Sequence, residues 1–197
     1  MDTYLYRLGD KLYLNLTNRC TNACEFCIRN GREGMGDQTL WLEKEPSTEQ
    51  VIGQLEHTDL SAFEEVVFCG FGEPLLRLDA VAAIGRYLKG RGASVRVNTN
   101  GQADLVYGRE VLDELVGAVD TLSISMNAAS AGEYQKICHS EFGEAAYPAL
   151  LRFAVSAREK GFRTVLSVVD TLPAEQIEAC RAWCDAHGIP LRVRRYE

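Results

Sequence analysis

Three cysteines of this sequence lie within one short stretch, at Cys20, Cys24 and Cys27. The spacing C-x3-C-x2-C lets a single loop present three thiolates to an iron–sulfur cluster without help from a distant part of the chain. Three ligands leave one iron of a four-iron cluster open to a second molecule, whereas a structural tetrahedral site uses four protein ligands. A zinc site completed by a remote residue such as Cys69 or His139 is the alternative, and chance triplets of structural cysteines also occur.

The other four cysteines are scattered along the chain, and a total of seven cannot pair completely in disulfides. In a reducing compartment such residues are thiols or metal ligands. Cys180 and Cys184 lie four apart in a predicted helix, so we expect them to pack in the core. We expect Cys69 and Cys138 to be core thiols or to line a cavity.

Further polar segments each follow a predicted strand directly. They read Gly-Phe-Gly-Glu-Pro at 70–74, Asn-Thr-Asn-Gly at 98–101 and Asn-Ala-Ala at 127–129. Because ligand sites of parallel α/β folds gather at the carboxyl ends of strands, we expect these segments and the cysteine loop to converge on one rim. Each short polar residue alone is more often a turn residue, and their shared rim position is what favours a site. The candidates are Asn98, Asn100, Ser125 and Asn127.

Hydrophobic patterning predicts the strands and helices that would position these candidate residues. Six β-rich runs alternate with helical patterns, which is typical of βαβ units on a parallel sheet and predicts an α/β fold with an incomplete barrel or open sheet. Tyr4 to Tyr13 can form a hairpin about Gly9-Asp10 that caps the bottom of the barrel. Helix starts are expected at Ser47 and Ser130, and Asp79 is expected to cap another helix. The strands are predicted at Leu12–Leu16, Val66–Cys69, Val95–Asn98, Leu122–Met126, Thr164–Val169 and Leu191–Val193.

Composition limits the classes of protein that fit. A chain of 197 residues that is 46% hydrophobic and 25% charged suits one packed domain, without a Pro-rich or Ser-rich divide. The net charge of −7 disfavours general attraction to nucleic acid or to an anionic membrane. No apolar run approaches the ~20 residues that span a bilayer, and the start of the chain lacks signal-peptide features, so we expect a cytoplasmic protein.

The cysteine loop carries a resemblance to a known family. Cys20, Cys24, Phe26 and Cys27 match the C-x3-C-x-aromatic-C signature of the radical S-adenosylmethionine (radical SAM) superfamily. The segment at 70–74 looks like the Gly-Gly-Glu-Pro segment of that superfamily, with Phe71 in place of a glycine. The stretches 26–32, 68–74 and 192–196 are most similar to the TatD-associated radical SAM proteins. The resemblance covers about residues 12–195 and implies one core domain, 1–197, folded as a partial (β/α)6 TIM-like barrel.

The resemblance also implies a cofactor pair and a reaction. One four-iron, four-sulfur cluster on the three cysteines would chelate the methionine part of S-adenosylmethionine. The reduced cluster would cleave the sulfonium to methionine and a 5′-deoxyadenosyl radical, which abstracts hydrogen from an unidentified, small-molecule substrate. An electron donor such as flavodoxin or ferredoxin is implied as partner. Two alternatives remain open, an activating enzyme that makes a radical on a partner protein and a noncatalytic metal-binding domain.

Several residues receive roles from the same resemblance. Glu73, in a loop whose glycines let the backbone come close, is the expected partner of the methionine ammonium, with a solvated loop acid as the alternative. Phe26 is expected to touch the adenine, or to be a plain core aromatic. The four strand-end candidates named above are expected to contact the ribose or the methionine carboxylate. The adenine-supporting pattern of the fifth strand is not recognisable around Val165 to Pro173.

The connection from Ile28 to Pro46 is long for an α/β unit, and loops of such length are commonly functional. We interpret it as a substrate lid. Arg29 and Arg32 would bring positive charge close to the cluster, and Trp41 would cover the pocket. A mobile charged loop with one packing tryptophan is the alternative.

Overall fold

The computed structural model describes residues 2–31, 33–35 and 38–196. Nine strands and seven α-helices lie in these ranges. The strands are β1 (Leu5–Leu8), β2 (Lys11–Leu14), β3 (Gly34–Met35), β4 (Gln38–Thr39), β5 (Glu65–Phe68), β6 (Val95–Thr99), β7 (Thr121–Ser125), β8 (Arg163–Val169) and β9 (Leu191–Arg194). The helices are α1 (Thr48–Glu56), α2 (Leu78–Gly90), α3 (Ala103–Tyr107), α4 (Leu112–Leu115), α5 (Ala131–Cys138), α6 (Ala146–Glu159) and α7 (Ala174–His187).

Seven strands form a mostly parallel sheet in the order β1-β2-β5-β6-β7-β8-β9. The pairs β2–β5, β5–β6, β7–β8 and β8–β9 are parallel, and β1–β2 is the predicted antiparallel hairpin. Within the described ranges no pairing joins β1 to β9, so the sheet is open, as expected. The hairpin does not cap a barrel separately, because its second strand is also the first parallel strand. Strands β3 and β4 form a two-stranded pair of their own.

Contacts along the chain define two compact units. The first comprises residues 1–20, 31–98 and 113–120 and holds β1, β2, β5, most of β6, α1 and α2. Strand β5 reads as an apolar run because both of its faces are covered, and its Val67 and Phe68 are fully buried. Helix α2 buries Ile84 and Leu88. This unit carries Cys20 and the segment 70–74.

The second unit comprises residues 21–30, 99–112 and 121–197 and holds β7, β8, β9, α3, α5, α6 and α7. Its largest fully buried side chains are Tyr134 in α5 and Phe153 in α6. Cys180 and Cys184 are fully buried on one face of α7, as predicted. This unit carries Cys24, Cys27 and the end of β7. No helix in the described part of the chain is long and apolar enough to span a membrane.

Two of the predicted helix starts are confirmed and one is wrong. Ser47 forms a capping box with Gln50, and Ser130 accepts a hydrogen bond from the Glu133 amide. Helix α2 instead begins at Leu78, because the 3-10 helix Pro74–Arg77 leads directly into it. Asp79 therefore lies in the first turn of α2, where its carboxylate still interacts favourably with the helix dipole.

Candidate cofactor site

The stretch from Cys24 to Asn30 folds into a turn held by its own hydrogen bonds. The Cys27 amide donates to the Cys24 carbonyl at 3.1 Å, and the Asn30 amide donates to the Cys27 carbonyl at 2.9 Å. The Asn30 side chain also donates to the carbonyls of Cys24 and Glu25, at 3.0 and 3.1 Å. Both cysteines are partly exposed. The turn thus holds both cysteines on a closed backbone.

Cys24 lies directly against the end of α5. The amides on either side of it, Ala23 and Glu25, donate to the carbonyls of Cys138 and Ile137, each at 3.0 Å. A hydrogen bond with the buried Cys138 thiol, followed by burial, raises the pKa of Cys24 well above its ordinary value. Cys138 therefore belongs to the surroundings of the cysteine loop, which its position in the sequence does not indicate.

Cys27 has a different electrostatic environment, in which Arg29 is the important neighbour. Burial raises the pKa of Cys27, while the backbone amide and the guanidinium of Arg29 oppose that rise. The same guanidinium donates to the Asn22 carbonyl at 3.1 Å. A positive group fixed beside a thiol favours the thiolate, which is the form that binds metals. Arg32, the second proposed lid arginine, lies outside the described residues.

Cys20, in the first unit, is also partly exposed and forms no disulfide. Among residues 2–31, 33–35 and 38–196, no three side chains of His, Cys, Asp or Glu form a group that could hold a metal ion. Of the two remote residues considered for zinc, Cys69 is partly exposed and His139 is exposed beside Glu25, at 3.3 Å.

The segment 70–74 packs tightly onto the residues that precede Cys20. A Cβ atom added at Gly72 would lie 2.4 Å from the Thr17 carbonyl oxygen and 2.5 Å from that of Arg19. The Glu73 amide donates to the Arg19 carbonyl at 2.8 Å. Only glycine allows this approach of two backbones, so the glycine kept from the family pattern has a steric reason here.

Glu73 is only 6% exposed, so the solvated-acid alternative is wrong. Its Oε1 accepts from the Leu75 amide at 3.0 Å and caps the 3-10 helix Pro74–Arg77. This capping bond fixes the carboxylate in place. A buried, oriented carboxylate is suited to a cationic partner.

Phe71, where the family pattern has glycine, is buried against Trp41. The ring centroids are 5.1 Å apart at 66°, an edge contact, while Trp41 remains 37% exposed. Nearby, the fully buried Asn15 donates to the Leu40 carbonyl at 2.8 Å. A Cβ at Gly70 would come within 2.1 Å of the Asn15 oxygen. The proposed lid residue Trp41 is thus attached to the 70–74 segment through Phe71.

The strand-end asparagines fall into two groups. The side-chain oxygens of Asn98 and Asn127 are buried and have no hydrogen-bond partner among the described residues. The Asn100 side chain already has hydrogen-bond partners. Its Nδ2 donates to Thr21 Oγ1 at 2.7 Å, and its Oδ1 accepts from the backbone amide of Gln102 at 3.0 Å. Other buried side-chain atoms of the described residues, Asn15 Oδ1 and Thr121 Oγ1 among them, also lack a partner, so it is their position at strand ends that makes Asn98 and Asn127 candidates for a ligand that donates hydrogen bonds.

Asn127 also has a special backbone conformation. Its φ is 57°, in the left-handed region that Asn tolerates better than most residues. Its amide and that of Met126 donate to the Ser167 carbonyl, at 3.2 and 2.9 Å, while its Nδ2 lies 3.7 Å from Cys138 Sγ. Ser125, the last residue of β7, is half-buried. The chain therefore turns sharply at the end of β7 and directs the Asn127 side chain inward.

A cleft of about 400 Å³ lies in the second unit beside Phe26. Its other walls include Leu172 and Pro173, which follow β8, and Tyr196 near the end of the chain. Phe26 is therefore not a plain core aromatic. No adenine-supporting pattern is recognisable in the sequence of the fifth predicted strand, yet Phe26 and residues after β8 line the same cleft.

A comparison with family models identifies the chain. The model described as the Radical SAM superfamily matches residues 14–185, most of the sequence. The chain belongs to the radical SAM superfamily. Radical SAM enzymes use a four-iron, four-sulfur cluster and S-adenosylmethionine.

Curated relatives of this radical SAM chain include two cyclases. A GTP 3′,8-cyclase of Lactiplantibacillus plantarum is 29% identical over 132 residues, which are 66% of this chain and 37% of the relative. A probable GTP 3′,8-cyclase of Methanocaldococcus jannaschii is 25% identical over 134 residues, 68% of this chain and 41% of the relative. The chain spans about two fifths of the length of these relatives.

Solved structures share the radical SAM fold at low identity. Streptococcus suis SuiB bound to S-adenosylmethionine superposes with a TM-score of 0.66 at 17% identity, over 94% of this chain and 38% of that one. A radical SAM methyltransferase from Sphaerobacter thermophilus gives 0.60 at 17% identity, over 97% of this chain and 68% of that one. The expected partial barrel of the radical SAM type is confirmed.

Proposed function

We propose that this chain is a radical SAM enzyme that cleaves S-adenosylmethionine reductively and abstracts hydrogen from a small-molecule substrate. The observation that carries the proposal is the triplet Cys20, Cys24 and Cys27, with Phe26 at the aromatic position, inside a family match that covers residues 14–185. When bound, the four-iron, four-sulfur cluster supplies the electron that converts S-adenosylmethionine to methionine and a 5′-deoxyadenosyl radical. The span of the match across both units supports a single core domain, 1–197.

The chain's own residues would hold the cluster through three thiolates. The Cys24–Asn30 turn is closed by its own backbone bonds, so its backbone would need little reorganisation, while the Cys24 thiol would leave Cys138 and the three thiols would turn toward one another on binding. Arg29 supplies a positive charge beside Cys27. Such a charge favours the thiolate and offsets part of the negative charge that a thiolate-ligated cluster carries.

The methionine end of S-adenosylmethionine would be oriented by Glu73. Its carboxylate is buried and held by the Leu75 amide, so a charge-assisted contact with an ammonium group would cost little side-chain entropy. Gly72 brings this segment onto the backbone of residues 17–19, immediately before Cys20. The packing supports a role for Glu73 next to the first ligand.

The adenosine part has candidates in each unit. Asn98 and Asn127 offer unpartnered oxygens that would accept from ribose hydroxyls or from the ammonium, and Ser125 lies two residues before Asn127. The cleft beside Phe26 has walls suited to a flat, partly apolar base. Asn100 is better suited to supporting the cysteine loop, because its side chain is already hydrogen-bonded there.

The substrate would be a small molecule bound beneath the connection 28–46. The two curated relatives are named for a reaction of GTP, which favours a small-molecule substrate over a partner protein. Arg29, Arg32 and Trp41 would cover it, and an anionic group would suit the two arginines. A low-potential electron donor of the flavodoxin or ferredoxin type would reduce the cluster.

The test is anaerobic reconstitution of the wild-type chain and of Cys24→Ala, with Cys180→Ala as the matched control. Wild type and Cys180→Ala should bind iron and sulfide, show the broad visible absorbance of an iron–sulfur cluster, and release 5′-deoxyadenosine under dithionite. Cys24→Ala should show none of these three properties. Bound zinc with no visible band in the wild type would refute the proposal, and so would full iron loading and cleavage in Cys24→Ala.

A further inference from the structure

A fully buried carboxamide, Gln102, lies at the centre of a polar network in the second unit. Its Oε1 accepts from Thr21 Oγ1 at 2.9 Å and from Ser140 Oγ at 3.0 Å. Its Nε2 donates to Asn22 Oδ1 and to the Tyr134 hydroxyl, each at 2.9 Å. A carboxamide has two donor hydrogens and two acceptor positions, so this side chain is completely satisfied.

The partners of Gln102 are also bonded to one another. The side-chain Nδ2 of Asn22 donates to the Tyr134 hydroxyl at 2.9 Å, and the side-chain Nδ2 of Asn100 donates to Thr21 Oγ1 at 2.7 Å. None of these side chains is more than 7% exposed. Because water cannot replace a missing partner at this depth, loss of one group leaves several others unsatisfied.

The network acts on the cysteine loop through two of its members. Thr21 and Asn22 are the residues that lead from Cys20 toward Cys24. On the other side of the turn, Arg29 donates to the Asn22 carbonyl at 3.1 Å. The network is buried whereas Cys24 and Cys27 are partly exposed, so it supports the ligand loop from behind.

We propose that Gln102 is a positioning residue for the cluster, which acts by fixing the backbone at Thr21 and Asn22 and thereby the directions of the Cys24 and Cys27 thiolates. This inference rests on the proposed function. Groups behind metal ligands set ligand orientation and the retention of the metal, even though they do not touch it. Tyr134 serves the same purpose through its hydroxyl, which joins the amides of Gln102 and Asn22.

The experiment compares Gln102→Met, Gln102→Glu and Tyr134→Phe with the wild type, all reconstituted anaerobically. Thr164→Val is the control, since it removes a buried hydroxyl hydrogen bond of the same unit, to the Phe162 carbonyl at 3.2 Å, near the start of β8. The readouts are the rate of iron release to an excess of chelator, the electron paramagnetic resonance spectrum of the reduced cluster with and without S-adenosylmethionine, and the melting temperature.

Gln102→Met should release iron at least about tenfold faster than wild type, the usual size of the loss in metal retention when a group that orients the ligands is removed. Its spectrum should broaden and respond less to S-adenosylmethionine. Gln102→Glu, which restores the acceptors, should fall between Gln102→Met and the wild type. Thr164→Val should match the wild type in both readouts even if its melting temperature falls.

The outcomes separate the inference from the proposed function. A wild-type chain that binds no cluster would overturn both. A wild-type chain that loads normally, with folded Gln102→Met and Tyr134→Phe that release iron at the wild-type rate and show the wild-type spectrum, would overturn the positioning role alone. If Gln102→Met does not fold, Tyr134→Phe decides, because it removes one oxygen atom and keeps the ring in the core.

Discussion

Two segments of this molecule follow parallel strands and differ in the hydrogen bonding of their polar groups. After β5, residues 70–74 are held by contacts within the protein, since Gly72 packs on the backbone of residues 17–19 and the Glu73 carboxylate caps the next turn. After β7, Asn127 adopts a left-handed conformation and leaves a buried oxygen without a partner among the described residues. A segment whose polar groups are bonded within the protein contributes to stability, whereas a buried acceptor without a partner can bind a ligand that donates a hydrogen bond. The comparison predicts that substitution of Gly72 acts mainly on folding and substitution of Asn127 mainly on binding, and Glu73 tests whether the segment after β5 also contributes to binding.

The largest effect is expected for Gly72→Ala. The added methyl would meet two backbone carbonyls that cannot move aside easily, so we expect a loss of about 3 kcal/mol in the free energy of unfolding. Gly53→Ala in α1 is the control, because no atom lies within 4 Å of its added Cβ and the helix should gain about 0.5 to 1 kcal/mol. Chemical denaturation measures both. Equal stability of Gly72→Ala and wild type would show that the close packing of Gly72 on residues 17–19 does not stabilise the fold.

Glu73→Gln tests whether the segment after β5 also binds the cofactor. The amide oxygen of Gln can keep the capping bond to Leu75, so the fold should be retained while the negative charge is lost. We expect S-adenosylmethionine binding to weaken by about 1.5 to 3 kcal/mol, the range of a charged hydrogen bond. Anaerobic titration of the cluster-loaded protein measures it. Unchanged affinity for S-adenosylmethionine would show that Glu73 does not bind the cofactor and that the segment after β5 serves folding alone.

Asn127→Gly separates stability from binding at the other segment. Glycine accepts a φ of 57° readily, so the free energy of unfolding should stay within about 1 kcal/mol of wild type. Affinity for S-adenosylmethionine should fall about tenfold, because one buried acceptor is lost. His139→Gly provides the control, since His139 is the other described non-glycine residue with positive φ, at 46°, and is exposed. Equal affinity losses in the two variants would contradict a specific role for Asn127.

The smallest effect is expected for Trp41→Ala. Trp41 covers Phe71 from a partly exposed position, and loss of this edge contact should cost about 1 kcal/mol of stability. Slow, uncoupled cleavage of S-adenosylmethionine should remain nearly intact, while hydrogen abstraction from the true substrate should fall. The amount of 5′-deoxyadenosine formed under dithionite checks the first half, with Trp183→Ala on α7 as control. A collapse of cleavage in a folded, cluster-loaded Trp41→Ala protein would refute the lid role.

The strands and the hairpin could be predicted because apolar runs and the Gly9-Asp10 turn are local signals. Local signals also located the starts at Ser47 and Ser130. Hydrophobic patterning predicts a helix from about Arg109 to Leu115, but in the structure only Leu112–Leu115 is helical. Just before this helix, the Asp104 carboxylate accepts a hydrogen bond from the Val111 amide at 3.0 Å. This contact joins residues seven apart and is invisible to helical periodicity.

The candidate site was predicted only in part, for a similar reason. The cysteine spacing and the segment 70–74 are short patterns that a sequence displays directly. Gln102 and Tyr134 were missed, and Cys138 was expected only as a core or cavity-lining thiol, because their contacts are with residues about 80 to 115 positions earlier in the chain, such as Asn22 and Cys24. The spacing of the cysteines assigns no role to Thr21 and Asn22, which lie between the first two. A polar residue directly after Asn100-Gly101 was the one local signal for Gln102.

The complete bonding of Gln102 has a consequence for sequence variation. Asparagine carries the same donors and acceptors but is one methylene shorter, and glutamate has the right length but lacks the donors. In a library with residue 102 randomised and selected for cluster retention, glutamine should therefore be recovered almost alone. Thr21 and Ser140, which only need to present a hydroxyl, should exchange with one another's residue type more freely. Tolerance to substitution around the cysteine loop would thus follow the number of hydrogen bonds per side chain rather than the distance from the cysteines.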